Sequence, residues 1–224
     1  MQAGGLKLFF NTKQKPTLEW AMFTMRKGKI FMTHKQSQTQ TQKVVLGRNH
    51  SRCISELVSG SNFPWFYYPD VHRVNPKHKQ EWDIARHSFI HQLWFDDQQV
   101  SQYFNLFEPI VYKMADAVDV KCSRILRMQT NMMLNVGKTV HDVEHTDGYL
   151  DQETERFKWF TGIYYVNDSD GCTTIEHPDG SKILIEPVAD SFVVFNGNTK
   201  HSAQLPLKTN TRVVVNVNFL GEQN

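Results

Sequence analysis

Residues 158–175 read KWFTGIYYVNDSDGCTTI, an aromatic and β-branched run followed by an acidic turn and the start of another apolar run. Alternating apolar residues predict β-strands, and the segment 168–171 (DSDG) is typical of a turn. The same texture continues to residue 220, with turn sequences at 178–180 and 196–198. The predicted strands are Ser123–Val136, Lys158–Asn167, Thr173–Ile175, Lys182–Glu186, Ser191–Asn196 and Thr211–Leu220.

Helical periodicity precedes these strands. Apolar residues at steps of three and four predict a helix over Trp82–Trp94. Ser101 can cap a second helix, and Pro109 lies inside its pattern, so we expect a break near Glu108. The apolar face of this second helix comprises Phe104, Phe107, Val111, Met114 and Val118.

Residues 1–57 are interpreted as an N-terminal extension that is partly loop. The segment Lys35–Lys43 (KQSQTQTQK) is polar and repetitive, which is typical of a loop or a disordered link. The flanking segments Lys29–Met32 and Val44–Leu46 can pair as a hairpin around it. From residue 58 onward, helices followed by many short strands favour a double-sheet β-sandwich or jelly roll with helices packed outside.

Composition and charge restrict the class of protein. Apolar residues make up 40% of the 224 residues and charged residues 21%, a balance that can bury a core. The net charge of +2 gives no electrostatic footprint for a nucleic-acid partner. Cys53, Cys122 and Cys172 are far apart, so no disulfide framework is expected. No apolar run approaches the ~20 residues of a membrane span, and we expect a cytoplasmic protein without a membrane partner.

The triplet His145-Thr146-Asp147 offers two metal ligands one residue apart, and His201 offers a third from a later strand. Alternate residues of an extended segment point the same way, so His145 and Asp147 can face one ion. Two imidazoles and one carboxylate leave open positions on the ion, as non-haem Fe(II) oxygenases require. A second such triplet, His177-Pro178-Asp179, overlaps a turn sequence, and we interpret it as structural.

Arg212 follows His201 by eleven positions and begins a strongly β-patterned segment. An arginine at the start of a strand is usually an ordinary surface residue. Beside an iron pocket, however, its guanidinium can hold a distal carboxylate through two parallel hydrogen bonds. Together with the triad, Arg212 therefore indicates a carboxylate-binding site.

The order of these motifs resembles the 2-oxoglutarate/Fe(II)-dependent dioxygenase superfamily, especially its prolyl-4-hydroxylase-like branch and small phage-encoded members. A polar-patterned strand, Arg127–Asn131, precedes the H-x-D triplet. A central strand, Ile163–Asn167, is followed by a turn and then by 171–173 (GCT). Phe195 and the distal histidine come next, and a basic residue follows about ten positions later. The resemblance covers residues 58–220 and implies a mainly β domain over 58–224, with a double-stranded β-helix (jelly-roll) core and N-terminal helices.

The resemblance also implies a cofactor and a reaction. Fe(II) would be bound by His145, Asp147 and His201, and 2-oxoglutarate would bind as cosubstrate at Arg212. O2 would be the oxidant, with ascorbate as a stimulant. The reaction would decarboxylate 2-oxoglutarate to succinate and CO2 while hydroxylating a substrate. Peptidyl-proline is the first substrate hypothesis and a small metabolite is the next; a phage-encoded protein would act in the host cytoplasm.

One feature that is common in the family is missing from this chain. The family often has a tyrosine, a few residues before the H-x-D triplet, that contacts the cosubstrate. His141 and Val143 are the nearby residues in this sequence. The residues expected to replace the tyrosine are Asn131, Tyr164 and Thr173, with Trp159 and Asn216 as further candidates.

Two other functions fit parts of the sequence. Residues His141–His145 (HDVEH) match the H-x-x-E-H pattern of a zinc metallopeptidase, but that motif requires a helix, and the valines around it favour extended structure. A catalytically silent, metal-binding jelly-roll module is the other alternative. The aromatic segment Phe63–Tyr68 is expected to pack in the core or to line a substrate cleft.

Overall fold

The computed structural model describes residues 23–26, 29–32, 39–43, 45–69, 87–147 and 157–223. The chain divides into two compact units, Met1–Lys35 and Gln36–Asn224. In the first unit, β1 (Phe23–Arg26) pairs with β2 (Lys29–Met32) in an antiparallel hairpin. The predicted pairing of Lys29–Met32 with Val44–Leu46 is therefore wrong, because Lys29–Met32 pairs with the preceding strand β1.

In the described part of the second unit, the helices are α1 (Arg48–Ser59), α2 (Phe104–Phe107) and α3 (Pro109–Ala117). The strands are β3 (Gln40–Lys43), β4 (Phe66–Tyr68), β5 (Ser88–Phe95), β6 (Gln98–Gln99), β7 (Val120–Leu134), β8 (Phe157–Tyr165), β9 (Thr173–Glu176), β10 (Lys182–Ile185), β11 (Ser191–Asn196), β12 (His201–Ala203) and β13 (Thr211–Gln223). The strands predicted after residue 120 are all present, to within a few residues at their ends. None of the described helices is long and apolar enough to cross a membrane.

In the described residues of this unit, two antiparallel sheets form the core. The large sheet has the order β3-β11-β8-β13-β7-β5-β4, with β6 paired to β5, and the small sheet has the order β10-β9-β12. Apolar residues of both sheets share one core, which includes Tyr165 and Val214 of the large sheet and Ile175 of the small sheet. This is the predicted double-stranded β-helix, or jelly roll.

The other face of the large sheet packs against the helices. Because side chains alternate along a strand, Val213, Val215 and Val217 join the helix-facing core while Val214 faces the small sheet. The predicted break at Pro109 is confirmed, since α2 ends at Phe107 and α3 begins at the proline. The apolar face of these two helices is buried at Phe104, Phe107, Val111 and Met114.

The helix predicted over Trp82–Trp94 is wrong where it can be judged. Residues 82–86 lie outside the described residues, and 88–95 form β5, which pairs with β4 and β7. Ser88, Ile90 and Leu93 are all buried in this strand. A bulge between Gln92 and Trp94 breaks the alternation of β5, so the spacing of its buried apolar residues resembles that of a helix.

The polar link predicted at Lys35–Lys43 is also partly wrong. Gln40–Lys43 forms β3, which pairs with β11 at the edge of the large sheet. Polar side chains are compatible with this position because the edge strand is stabilised by backbone hydrogen bonds while its side chains stay partly exposed. Helix α1 adds Ile54 and Val58 to the helix-facing core. Both β3 and α1 belong to the compact unit Gln36–Asn224, which also contains the jelly roll.

The Asp190 side chain connects the segment just before α1 to the large sheet. Its carboxylate accepts hydrogen bonds from the backbone N–H groups of Leu46 (3.0 Å) and Gly47 (3.2 Å) and from the Tyr164 hydroxyl (3.0 Å). We expect Asp190→Ala to lower the free energy of unfolding by about 2 kcal/mol, because partly buried donors lose their acceptor.

The matched control for this stability prediction is Asp190→Asn. Asparagine keeps one acceptor oxygen and tolerates the positive φ of 57° at this position, so it should lose less stability than alanine. Urea denaturation measures both variants. A loss in Asp190→Ala no larger than in Asp190→Asn would contradict this role of the carboxylate.

Candidate active site

His145, Asp147 and His201 lie together, with one potential ligand atom from each within 4.8 Å of the others. Nε2 of His145 is 3.9 Å from one Asp147 carboxylate oxygen, and Nε2 of His201 is 3.8 Å from the other. Two backbone hydrogen bonds fix the histidines side by side: His145 N–H to His201 O (3.0 Å) and His201 N–H to His145 O (2.9 Å). A single metal ion can therefore be bound by all three residues.

The hydrogen bonds of the two rings determine which nitrogen of each histidine could bind a metal. Nδ1 of His145 lies 2.9 Å from the Val143 carbonyl oxygen, and Nδ1 of His201 lies 3.1 Å from the Thr199 carbonyl oxygen. A carbonyl oxygen only accepts, so Nδ1 carries the proton and Nε2 of both rings is left able to bind a metal. Two imidazole nitrogens and one carboxylate oxygen form a donor set that fits Fe(II).

Asp147 is held from three sides by neighbouring strands. Arg127 Nη2 lies 3.3 Å from Oδ1, while Asn218 Nδ2 (3.0 Å) and Thr161 Oγ1 (3.3 Å) donate to Oδ2. Burial raises the pKa of Asp147, but the charges of Arg127 and the two histidines and the Asn218 hydrogen bond outweigh it and leave the pKa below its usual range. The carboxylate is therefore ionised and oriented before any metal binds.

These three supporting residues were not predicted as site residues from the sequence. All three residues entered only as parts of predicted strands. They meet because Asn218 pairs with both Arg127 of β7 and Thr161 of β8 across the sheet. The available signal is a polar residue at an alternate position of an otherwise apolar strand, as in 213–219 (VVVNVNF).

A cavity of about 710 Å³ connects the histidine and carboxylate group with Arg212. Arg212 is only 2% exposed. Its Nε donates to the Gly171 carbonyl oxygen (2.8 Å) and its Nη2 to the Thr173 hydroxyl (2.8 Å), with Met133 Sδ 3.9 Å from Nη1. Burial lowers the pKa of Arg212. A buried cation whose described hydrogen bonds go to neutral groups is suited to bind an anion, since pairing offsets its desolvation.

The turn beside Arg212 is fixed by a second carboxylate. Asp170 accepts hydrogen bonds from the backbone N–H groups of Lys208 (2.8 Å) and Thr209 (3.0 Å) and from the Thr209 hydroxyl (2.9 Å). The hydrogen bonds from Thr209 and Lys208 hold the pKa of Asp170 below its usual range. This turn places the Gly171 carbonyl where it accepts from Arg212.

Of the residues predicted to contact the cosubstrate, some line the cavity and one does not. Asn131 and Thr173 line the cavity, as do the further candidates Trp159 and Asn216. Tyr164 does not: it belongs to the helix-facing core, and its hydroxyl donates to Asp190.

The neighbouring Tyr165 takes the other face of β8. Its hydroxyl donates to Thr173 Oγ1 (2.8 Å), and the Arg212 guanidinium carbon lies 5.8 Å from the ring centroid. The choice of Tyr164 as a cosubstrate contact is therefore not supported by its position. The strand register decides which of two adjacent tyrosines faces the small sheet, and the sequence does not show that register.

The two rival histidine motifs have other roles. Residues 177–181 form a turn, in which Asp179 Oδ1 accepts from the Ser181 backbone N–H (2.9 Å), as interpreted from the sequence. His141 and His145 each form an isolated β-bridge, to Gln204 and His201 respectively, so the intervening residues are not helical. The zinc metallopeptidase hypothesis requires a helix there, and it is wrong.

The aromatic segment Phe63–Tyr68 lies elsewhere in the fold. Phe63 is buried in the helix-facing core, whereas Phe66, Tyr67 and Tyr68 are exposed on β4. None of the residues in this segment lines the cavity that contains His145. Phe63 therefore packs in the core, and the described part of the structure does not bring this segment to the cavity.

No family model matches the sequence, and no curated protein matches it. The fold does match solved structures. An oxidoreductase of the 2OG-Fe(II) oxygenase family from Burkholderia pseudomallei aligns with a TM-score of 0.59 and 15% identity over 84% of this chain and 86% of that one. A prolyl hydroxylase from Trichoplax adhaerens, in complex with a hypoxia inducible factor peptide fragment, aligns with a TM-score of 0.56 and 10% identity over 83% and 84%.

A third structure extends the comparison to small-molecule chemistry. The non-heme alpha ketoglutarate dependent carbocyclase SnoK, from nogalamycin biosynthesis, aligns with a TM-score of 0.60 and 11% identity over 83% of this chain and 80% of that one. At these identities the likeness shows the fold alone. This chain therefore has the jelly-roll fold of 2-oxoglutarate/Fe(II) oxygenases, with a His-Asp-His group that can bind a metal.

Proposed function

We propose that this protein is a non-haem Fe(II) oxygenase that decarboxylates 2-oxoglutarate to succinate and CO2 while it hydroxylates a substrate. The observation that carries the proposal is the joint location of His145, Asp147, His201 and Arg212 on one cavity. The triad supplies the facial ligand set, and the buried guanidinium supplies a partner for a distal carboxylate. The fold of the oxygenase neighbours supports the same assignment.

Each part of the site has a defined task in this reaction. Fe(II), when bound, would supply the activation of O2. Arg127, Asn218 and Thr161 hold the Asp147 carboxylate in one orientation. Arg212 binds the far carboxylate of 2-oxoglutarate, and the Thr173 hydroxyl, which accepts from Arg212, keeps the guanidinium in place.

The near end of the cosubstrate is assigned to the amides on the cavity floor. Asn131 Oδ1 accepts a hydrogen bond from Gln129 Nε2 (2.9 Å), so the Asn131 amide group is oriented and its Nδ2 can donate to a carboxylate. Both residues are buried and line the cavity. This pair takes the place of the tyrosine that the chain lacks.

Two classes of molecule are proposed for the prime substrate. Peptidyl-proline is the first hypothesis, supported by the order of the motifs and by the fold shared with prolyl hydroxylases. A small metabolite is the second hypothesis, supported by the fold shared with an alpha ketoglutarate dependent epimerase and a carbocyclase from nogalamycin biosynthesis. The similarity to small phage-encoded members of the superfamily is likewise a proposal, and it rests on the order of the sequence motifs.

Calorimetric titration tests the cosubstrate assignment directly. We expect 2-oxoglutarate to bind to the protein in the presence of Mn(II) as a substitute for iron. 2-Oxopentanoate is the matched control, because it has the same chain length and keto-acid end but a methyl group in place of the distal carboxylate. It should bind at least about tenfold more weakly, since it leaves Arg212 unpaired. Equal binding of the two keto acids, or no binding of 2-oxoglutarate, would overturn the assignment.

Gly171 gives an independent test of the Arg212 end of the site. An added Cβ would lie 2.5 Å from the Gln204 carbonyl oxygen, 3.0 Å from Pro206 N and 3.0 Å from Arg212 Cδ. Backbone atoms cannot move away as a flexible side chain can, so Gly171→Ala should displace the turn and the arginine together. We expect the affinity for 2-oxoglutarate to fall by about tenfold or more while Mn(II) binding is retained.

The control for this variant is Gly180→Ala, in a turn where an added Cβ meets nothing within 4 Å. Alanine there has an unfavourable positive φ of 81°, so it can cost stability, but it should leave 2-oxoglutarate affinity unchanged. Titration of both variants distinguishes local strain from damage to the site. Unchanged affinity in Gly171→Ala would contradict the placement of the carboxylate at Arg212.

A further inference from the structure

A β-bulge brings two arginines onto one face of β7. Arg127 pairs with Asn218, but the next residue of β13 pairs with Ile125, so Leu126 is an extra residue in β7. Residues three apart on a regular strand point to opposite faces, whereas the bulge allows Arg124 and Arg127 to line the same cavity.

Both arginines retain hydrogen-bonding capacity. Arg127 uses Nε for Asn218 Oδ1 (2.8 Å) and Nη2 for Asp147, and Arg124 uses Nε (2.7 Å) and Nη2 for the Asp97 carboxylate. Among the described residues, Nη1 of neither arginine has an acceptor. Their side chains are 34% and 40% exposed, respectively, so a molecule in the cavity can reach both.

An aromatic ring lies beside these cations. Phe95 is the cross-strand partner of Arg127 and lines the cavity, yet it is 55% exposed. Asp97 and Asp96 form the tight turn that follows, both with positive φ. The turn therefore orients Arg124 through Asp97, and the exposed ring of Phe95 lies next to Arg127.

A metal ion at the triad would also change how far the positive charge of Arg127 is compensated. Its described ion-pair partner is Asp147, the carboxylate that the proposed function assigns to the metal. A divalent cation would draw on the same carboxylate charge and leave the guanidinium less compensated in a partly desolvated cavity. Two acidic residues also line this cavity: Asp96, at the turn next to Arg124, and Asp142, whose charge acts on Arg212.

We propose that this end of the cavity binds an oxyanion of the prime substrate, a carboxylate or a phosphate, through Arg127 and Arg124, with Phe95 packed against the adjoining part of the substrate. The inference rests on the proposed function and specifies its substrate class. The fork of a guanidinium suits both anions, and the neighbouring Asp96 disfavours a more highly charged one.

Three small aromatic probes test the proposal. Benzoate, phenyl phosphate and the neutral analogue benzamide are titrated into protein that contains Zn(II) in place of iron and saturating 2-oxoglutarate, so that Arg212 is already occupied. Saturation-transfer NMR measures their binding without turnover. We expect one of the two anions to bind at least about tenfold more tightly than benzamide, and the tighter anion identifies the source of the charge. Equal binding of benzamide would overturn the proposal.

Variants locate the binding site of the anion. Arg127→Gln and Arg124→Gln should each weaken binding of the preferred anion by about tenfold. The Arg124→Gln variant should do so without removing a contact to Asp147. Asp96→Asn should tighten it, because a like charge is removed. Arg52→Gln is the matched control, since Arg52 pairs with Glu56 on α1 and does not line the cavity.

Two results contradict the assignment. One is an effect of the Arg124 and Arg127 variants no larger than that of Arg52→Gln, and the other is weaker anion binding in Asp96→Asn. Failure of this inference is distinct from failure of the proposed function, because the latter would appear first as an absence of 2-oxoglutarate binding in the Mn(II) titration.

Discussion

Asp147→Ala is expected to raise the dissociation constant for Mn(II) by more than about a hundredfold, because it removes the anionic ligand of the triad. Replacement of residues that merely orient metal ligands already costs about 10- to 100-fold in affinity, and a lost ligand should cost more. The variant also leaves Arg127 as an uncompensated cation beside the metal site. Electron paramagnetic resonance of free Mn(II) measures the change.

The sequence provides a matched control for this variant. Asp179 belongs to the second H-x-D triplet, which forms a solvent-exposed turn, so Asp179→Ala should bind Mn(II) like the wild type. Asn218→Ala should lie between the two, because it removes one hydrogen bond to Asp147 and keeps all three ligands. Wild-type Mn(II) affinity in Asp147→Ala would show that the metal binds elsewhere or not at all.

Arg212→Gln is expected to weaken 2-oxoglutarate by at least about thirtyfold, since truncation of one partner of a buried charge pair typically costs about 2–5 kcal/mol. The affinity for 2-oxopentanoate, which has no distal carboxylate, should change little. The variant should therefore lose most of the discrimination between the two keto acids. Calorimetric titration with Mn(II) present measures both affinities.

Two further variants sharpen this result. Arg212→Lys keeps the charge but loses the planar fork, and it should recover only part of the affinity. Lys208→Gln removes an exposed cation from the turn that precedes Arg212 and should have no effect. If Arg212→Gln weakened both keto acids equally, Arg212 would be acting on the shape of the cavity and not on the distal carboxylate.

The sequence predicts the second half of the fold well, for a physical reason. From Val120 onward, side chains along each long strand point alternately to the helices and to the small sheet. Clear turn sequences separate these strands. The earlier part is harder to predict because its elements take their identity from partners far along the chain. β5 contains a bulge that breaks its alternation, and β3 is a polar strand that pairs with β11 alone among the described strands.

The site shows the same division. His145, Asp147, His201 and Arg212 were selected by residue type and by order along the chain, and all four line one cavity in the structure. Residues whose role depends on register are not accessible in this way. The adjacent Tyr164 and Tyr165 differ only in which face of β8 they occupy.

The residues around Asp147 show why register matters for function. Arg127, Thr161 and Asn218 lie on three different strands and meet through cross-strand pairing. The common orientation of Arg124 and Arg127 depends on a bulge at Leu126, which no residue type in the sequence announces. Polar positions in apolar strands indicate that a site exists, but the sheet pairing determines which of them share it.

Succinate formation is the most direct test of whether the protein couples Fe(II) and 2-oxoglutarate to oxidation. Purified protein is incubated with Fe(II), ascorbate, 2-oxoglutarate and O2, in parallel with Asp147→Ala. We expect succinate from the wild type, formed slowly without the prime substrate, and none above background from the variant. Binding of both metal and 2-oxoglutarate without succinate, even when candidate substrates are added, would overturn the proposed oxygenase activity and identify a catalytically silent metal-binding jelly roll.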